Sequence, residues 1–126
     1  MVVKEPSTAS VRILVVEDDA DTARMMSRLL NSSGYPTMTA GSVAEARQLC
    51  DGHRFDLLIA DLTLPDGSGA DLLRHDEACF GKGIIVSGHE EQRHETLGIA
   101  AGYSEYLLKP IRFDHLLSVV QRVLEK

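Results

Sequence analysis

FDLLIADLTLPDG, Phe55–Gly67, opens with Phe55, Leu57, Leu58, Ile59 and Ala60, an apolar run long enough for a strand and too short for a typical helix. Apolar residues on both sides of such a strand imply a sheet covered on both faces. The run ends on Asp61, and Pro65-Asp66-Gly67 follows as a turn signal. A carboxylate therefore sits at the carboxyl end of a doubly buried strand, where open α/β sheets place their ligands. Standing alone, Asp61 would read as a residue that merely closes a strand. It has company.

Upstream, Val11–Val16 is a second β-branched run of the same kind, leading into Glu17-Asp18-Asp19-Ala20-Asp21. Asp19 and Asp21 suit the cap and first turn of a following helix, where the helix dipole favours anions. Glu17 and Asp18 still belong to the end of the strand. Helix Thr22–Ser33 carries Met26, Leu29 and Leu30 at core spacing and stops at Gly34; Tyr35–Ala40 is a short strand. Ser42 and Glu45 form a capping box for helix Val43–Cys50. Beyond Asp61 the pattern predicts a helix over Gly69–His75, a loop over Asp76–Gly83 and a strand over Ile84–Ser87. A weakly amphipathic helix Glu90–Ala101 and a strand Ser104–Leu108 ending on Lys109-Pro110 come next. The last helix, Phe113–Leu124, has Phe113, Leu116, Leu117, Val120 and Leu124 on one stripe. Five successive strand–helix units demand a parallel sheet with right-handed crossovers. The expected fold is α/β, a flavodoxin-like (βα)5 three-layer sandwich of strand order 2-1-3-4-5.

The 126 residues suffice for one domain with a real core, residues 11–126, behind a flexible leader at 1–10. A net charge of −6 argues against direct nucleic-acid binding and against an anionic membrane surface. No segment has the length and apolarity to insert into a bilayer, and MVVKEPSTAS lacks the apolar core of a signal peptide, so a cytoplasmic location is expected. Cys50 and Cys79 show neither CxxC spacing nor a histidine at metal-ligand spacing, so a disulfide or zinc site is not expected and they read as unpaired thiols. The five histidines are scattered.

In the expected topology Glu17, Asp18, Asp61, Ser87 and Lys109 converge on one edge of the sheet. Three carboxylates about 5 Å apart repel by about 3 kcal/mol per pair at an effective dielectric of 20. Lys109 offsets part of that, which leaves either a protonated acid or a divalent cation. All-oxygen ligands suit magnesium or manganese rather than zinc. A magnesium beside a carboxylate, a hydroxyl and an ammonium makes a phosphoryl-transfer site. Asp61 is then the nucleophile, Lys109 a charge partner, Ser87 a hydrogen-bond donor, and Gly88 leaves the approach open.

ILVVEDD (Ile13–Asp19), DLTLPDGSG (Asp61–Gly69), IVSG (Ile85–Gly88) and EYLLKP (Glu105–Pro110), in this order, resemble the receiver domain of two-component response regulators. The resemblance covers Val11 to Glu125. It implies that Asp61 is the phosphoacceptor and that Glu17 and Asp18 are the acidic pair, Asp18 the closer metal ligand, with the Thr63 carbonyl completing the coordination. It also implies that Ser87 and Tyr106 are a switch pair, that Lys109 is the family's lysine, and that the peptide before Pro110 is cis. Glu17 stands where many members carry Asp, and the span from Asp61 to Ser87 is shorter than usual by about a turn of helix.

A haloacid-dehalogenase-type phosphatase expects a second Asp where this chain has Thr63, and a flavin-binding module would meet repulsion from Glu17-Asp18-Asp19. A pseudo-receiver that only binds proteins usually lacks part of the acid–lysine set, which is complete here. The expected function is a phosphorylation-activated switch. It accepts a phosphoryl group from a histidine kinase or phosphotransfer domain, catalyses its own phosphorylation and dephosphorylation, and signals to a downstream protein or a fused output domain. Such a chain stands alone or forms part of a longer protein such as a hybrid sensor kinase. Thr63 and His89, two residues past the acceptor and the switch serine, would flank the approach of hydrolytic water.

Overall fold

The computed structural model describes residues 11–75, 79–88 and 103–125, excluding the side chains of residues 74 and 75. In chain order the elements are β1 (Ile13–Val16), α1 (Ala20–Ser32), β2 (Thr37–Ala40), α2 (Val43–Cys50) and β3 (Phe55–Asp61). There follow β4 (Thr63–Leu64), β5 (Gly67–Ser68), α3 (Gly69–His75), β6 (Phe80–Ser87), β7 (Glu105–Leu108) and α4 (Phe113–Leu124). The five-stranded sheet runs β2-β1-β3-β6-β7 with every pairing parallel, and β4 and β5 form a separate antiparallel pair. With β6 and β7 as its fourth and fifth strands, the sheet has the expected 2-1-3-4-5 order. The expected helix Glu90–Ala101 and His89 lie outside the described residues.

Alternate residues of the same strands feed two cores. Leu14, Val16, Leu58, Ala60 and Ile85 pack with residues of α2 and α3 on one face. Ile13, Val15, Leu57, Ile59, Ile84 and Val86 pack with residues of α1 and α4 on the other. β3 is the central strand, and Asp56 is its one exposed residue. Fully burying each Leu or Ile stabilises by about 1.5–3 kcal/mol, so the sheet is held from both sides.

The helices begin where their caps place them. Asp19 accepts from the Thr22 amide and starts α1 two residues earlier than its apolar spacing suggested. Ser42 accepts from the Glu45 amide and starts α2 at the expected Val43. In α4 the buried side chains are Leu116, Val119, Val120 and Val123, while Phe113 is exposed and Leu117 and Leu124 sit on the flank. The buried arc is rotated from the expected stripe because it centres on Leu116 and Val120.

Two expectations are corrected. Residues 80–83 are strand rather than loop, since β6 starts at Phe80, opposite Phe55. Gly81 and Gly83 suggested a loop, yet both are glycine because neighbours come close. A Cβ at Gly81 would lie 2.9 Å from the Asp56 carbonyl oxygen, and one at Gly83 would lie 2.6 Å from the Tyr103 ring. The cysteines, expected to be unpaired, form a Cys50–Cys79 disulfide with Cα atoms 5.8 Å apart. α2 runs antiparallel to the strands, so its carboxyl end reaches the amino edge of the sheet, where β6 begins. A separation of 29 residues carries no spacing signature for such a pair. Among the described residues no helix is long and apolar enough to cross a membrane.

Candidate functional site at the carboxyl edge of the sheet

Strand register builds the site. Val16 pairs with Ala60, Asp61 with Val86, and Ser87 with Leu108, so β1, β3, β6 and β7 end together. Each strand's next residue therefore faces the same edge. The Lys109 amide donates to the Ser87 carbonyl at 2.8 Å, and the Leu62 amide to the Val86 carbonyl at 2.7 Å, which carries the pairing past the strand ends.

Lys109 is the hub. Its Nζ lies 2.7 Å from Asp61 Oδ2 and 2.9 Å from Glu17 Oε1. Glu17 and Asp61 are 4% and 8% exposed, so the ammonium bridges two buried carboxylates. Their remaining oxygens are held by backbone: Glu17 Oε2 accepts from the Asp19 amide at 3.0 Å, and Asp61 Oδ1 from the Thr63 amide at 3.1 Å. Burial pushes the Glu17 carboxyl above its usual range, against the opposing pull of the Asp19 amide and Lys109. Burial also works against the Lys109 charge, but the hydrogen bonds it donates to Asp61 and Glu17 outweigh it and hold the ammonium's pKa above its ordinary value.

Asp18 is exposed and brings the third carboxylate: one oxygen each from Glu17, Asp18 and Asp61 lies within 4.8 Å of the others. Three carboxylates facing one ammonium leave excess negative charge. The donor set is all oxygen and opens to solvent at Asp18 and Thr63, which fits a hard divalent cation that keeps waters. The cluster could hold a metal.

The other expected residues fall around this centre. Ser87 is buried at the end of β6. Tyr106 is half-buried on β7 opposite Ile85, against the α2/α3 core. The Lys109–Pro110 peptide is cis. A Cβ at Gly88 would meet nothing within 4 Å among the described residues, so the approach there is open. A groove of about 480 Å³ lined by Thr22, Met25, Met26, Gly88, Lys109, Pro110, Ile111 and Phe113 adjoins it.

Three residues near the site have roles that local sequence did not assign. Gly69 begins α3 against the backbone of Asp61, where a Cβ would overlap the Asp61 carbonyl oxygen. Tyr103, half-buried and with its phenol pushed well up by desolvation, donates to the Gly69 carbonyl at 2.5 Å. Asp66, which the sequence marks only as a turn former, caps helix α2. The latter two partnerships span 22 to 34 residues, and no short-range pattern announces them.

The family model for the response regulator receiver domain matches residues 13–121. The chain belongs to this family. Receiver domains are phosphorylation-activated switches of two-component signalling, and this receiver is similar to regulators from plants and bacteria. It is 31% identical to the two-component response regulator ARR11 of Arabidopsis thaliana over 123 residues, 95% of this chain and 24% of the relative. To the cell cycle transcriptional regulator CtrA of Caulobacter vibrioides it is 30% identical over 118 residues, 92% of this chain and 51% of the relative. The crystal structure of a CheY-like receiver domain protein from Methanospirillum hungatei superposes with a TM-score of 0.79 at 26% identity, covering 91% of this chain and 94% of that one. The receiver thus spans about a quarter to a half of the length of these curated relatives.

Proposed function

We propose that Asp61 is the phosphoacceptor, loaded from the phosphohistidine of a histidine kinase or phosphotransfer domain. The observation that carries this is the Lys109 ammonium seated between the Asp61 and Glu17 carboxylates at the sheet's carboxyl edge. An Asp61 oxygen bonds to phosphorus as the phosphorus–nitrogen bond of the donor breaks, and the imidazole leaves with the electron pair. Phosphoryl transfer of this kind rests on positioning and charge neutralisation. Lys109 neutralises charge at Asp61 Oδ2, and the Thr63 amide fixes Oδ1. Glu17, Asp18, Asp61 and the Thr63 carbonyl are the ligands for a magnesium ion, manganese being the alternative, which when bound supplies further positive charge at the phosphoryl oxygens.

Ser87 is the hydroxyl that meets the phosphoryl group, and Tyr106 on the neighbouring strand is its switch partner. Signalling then passes to a downstream protein or a fused output domain, in the cytoplasm. The test is intact-mass spectrometry after incubation with acetyl phosphate, with and without magnesium. The parent should gain one phosphoryl group only with the metal, and Asp61→Asn should gain none while keeping its fold. Undiminished loading of the variant at the same site overturns the assignment.

A further inference from the structure

The hairpin after Asp61 is anchored at both ends. At its base, Leu62 donates to Val86, Gly69 donates to the Leu62 carbonyl at 3.0 Å, and the Thr63 amide holds Asp61 Oδ1. β4 and β5 then pair through Thr63–Ser68 and Leu64–Gly67, with Pro65 and Asp66 at the tip. The tip reaches helix α2. Asp66 Oδ1 accepts from the Val43 amide at 2.8 Å and Oδ2 from the Ala44 amide at 3.0 Å. These are first-turn amides, which have no partner within their own helix. Ser42, the local cap, already takes the Glu45 amide. One helix end thus has two caps of different reach: among the described residues the Ser42 side chain hydrogen-bonds within α2, while Asp66 ties α2 to the hairpin that carries Thr63.

We propose that Asp66 is a positioning residue for phosphorylation: by clamping the hairpin tip to the amino end of α2, it sets the Thr63 amide that orients the Asp61 carboxylate. The inference deepens the reading of Asp61 as the acceptor and rests on it. Asp66 touches no reacting atom. It acts through the backbone of residues 62–66, and the carboxylate supplies two acceptor oxygens at the spacing of two successive amides. Phosphoryl transfer depends on placement, so a small displacement of the acceptor is costly in rate.

The two caps supply the control. Asp66→Ala and Ser42→Ala both uncap α2, but only the first frees the hairpin. Phosphorylation by acetyl phosphate at saturating magnesium should slow on the order of tenfold in Asp66→Ala and stay within about twofold of the parent in Ser42→Ala. Asp66→Asn keeps an acceptor oxygen and should recover most of the rate. Asp66→Glu keeps the cap but pushes the tip out by a methylene, so its rate should fall with α2 intact. That variant serves as the readout if Asp66→Ala does not fold. The Thr63 amide resonance, recorded without phosphate, should move in Asp66→Ala and remain in place in Ser42→Ala. Equal rate losses in the two alanine variants, a parent-like rate in both Asp66→Ala and Asp66→Glu, or an unmoved Thr63 resonance overturns the proposal. Failure of Asp61 as acceptor is read separately, as loading of Asp61→Asn.

Discussion

Single residues carry the site's electrostatics, and Asp66 shows it in a form that titrates. Hydrogen bonds from the Val43 and then the Ala44 amide hold its carboxyl below the ordinary value of 3.8. The folded protein therefore binds this proton less readily than the unfolded chain does. The stabilisation is fully present above pH about 3.9, the unfolded value, and is lost as pH falls through the lower folded value. Asp66→Asn cannot titrate. Its melting temperature should lie below the parent's at pH 6, and the gap should close as pH falls below about 3.9. Thermal melts of both proteins across that range check it; a gap that widens on acidification contradicts the assignment of the cap. The same residue marks what the sequence could not show. Asp66 was legible as a turn former because Pro-Asp-Gly is a local signal, whereas its partners lie 22 and 23 residues upstream. By contrast Glu17, Asp18, Asp61, Ser87 and Lys109 are legible together, because each ends a strand or follows within two residues of its end, and the parallel topology aligns strand ends.

At the scale of elements, legibility followed the strength of local chemistry. α2, α3 and α4 span the expected residues, since a capping box, a turn exit and a periodic apolar stripe are short-range features. The first half of β6 is not legible in the sequence, because glycine reads as loop when the backbone or ring it must admit comes from elsewhere in the chain: Asp56 for Gly81, Tyr103 for Gly83. The disulfide leaves no local signal in the sequence for a related reason. It joins the end of α2 to the entry of β6, elements that meet only after the crossover is made. Closing a loop of 29 residues stabilises by about 3–4 kcal/mol in the chain-entropy picture. In oxidising buffer Cys50→Ser should therefore unfold at lower urea by about that free energy, and under a strong reductant parent and variant should nearly coincide. In a reducing compartment the pair is expected as a dithiol. Urea titrations in both buffers, with thiol alkylation of the native parent, decide the matter. Two alkylated thiols before reduction would refute the pairing.

The whole molecule divides its labour between the two edges of one sheet. The amino edge is closed by the Cys50–Cys79 bridge and by Phe55 stacked on Phe80 at 6.0 Å, while the carboxyl edge gathers buried acids whose charges Lys109 balances only in part. The burial that raises the Glu17 carboxyl also explains why this acidic cluster could hold a cation: ionised carboxylates removed from water are stabilised by opposite charge. A ligand that binds only the folded state stabilises it by about 2.7 kcal/mol at a hundredfold excess over its dissociation constant. For a domain of this size that corresponds to a melting shift of roughly 5–15 °C, and saturating magnesium should produce it. The change should be local. Amide resonances of Asp18, Asp61 and Thr63 should move on titration, and those of Cys50, Phe55 and Phe80 at the far edge should not. Asp18→Ala should weaken binding more than Glu17→Ala, because Glu17 already spends one oxygen on Lys109 and the other on the Asp19 amide, while Asp18 faces solvent. Calorimetric titration of parent and both variants measures the order. Parent-like affinity in both would place the cation outside the cluster, and a greater loss in Glu17→Ala would make the buried acid the principal ligand.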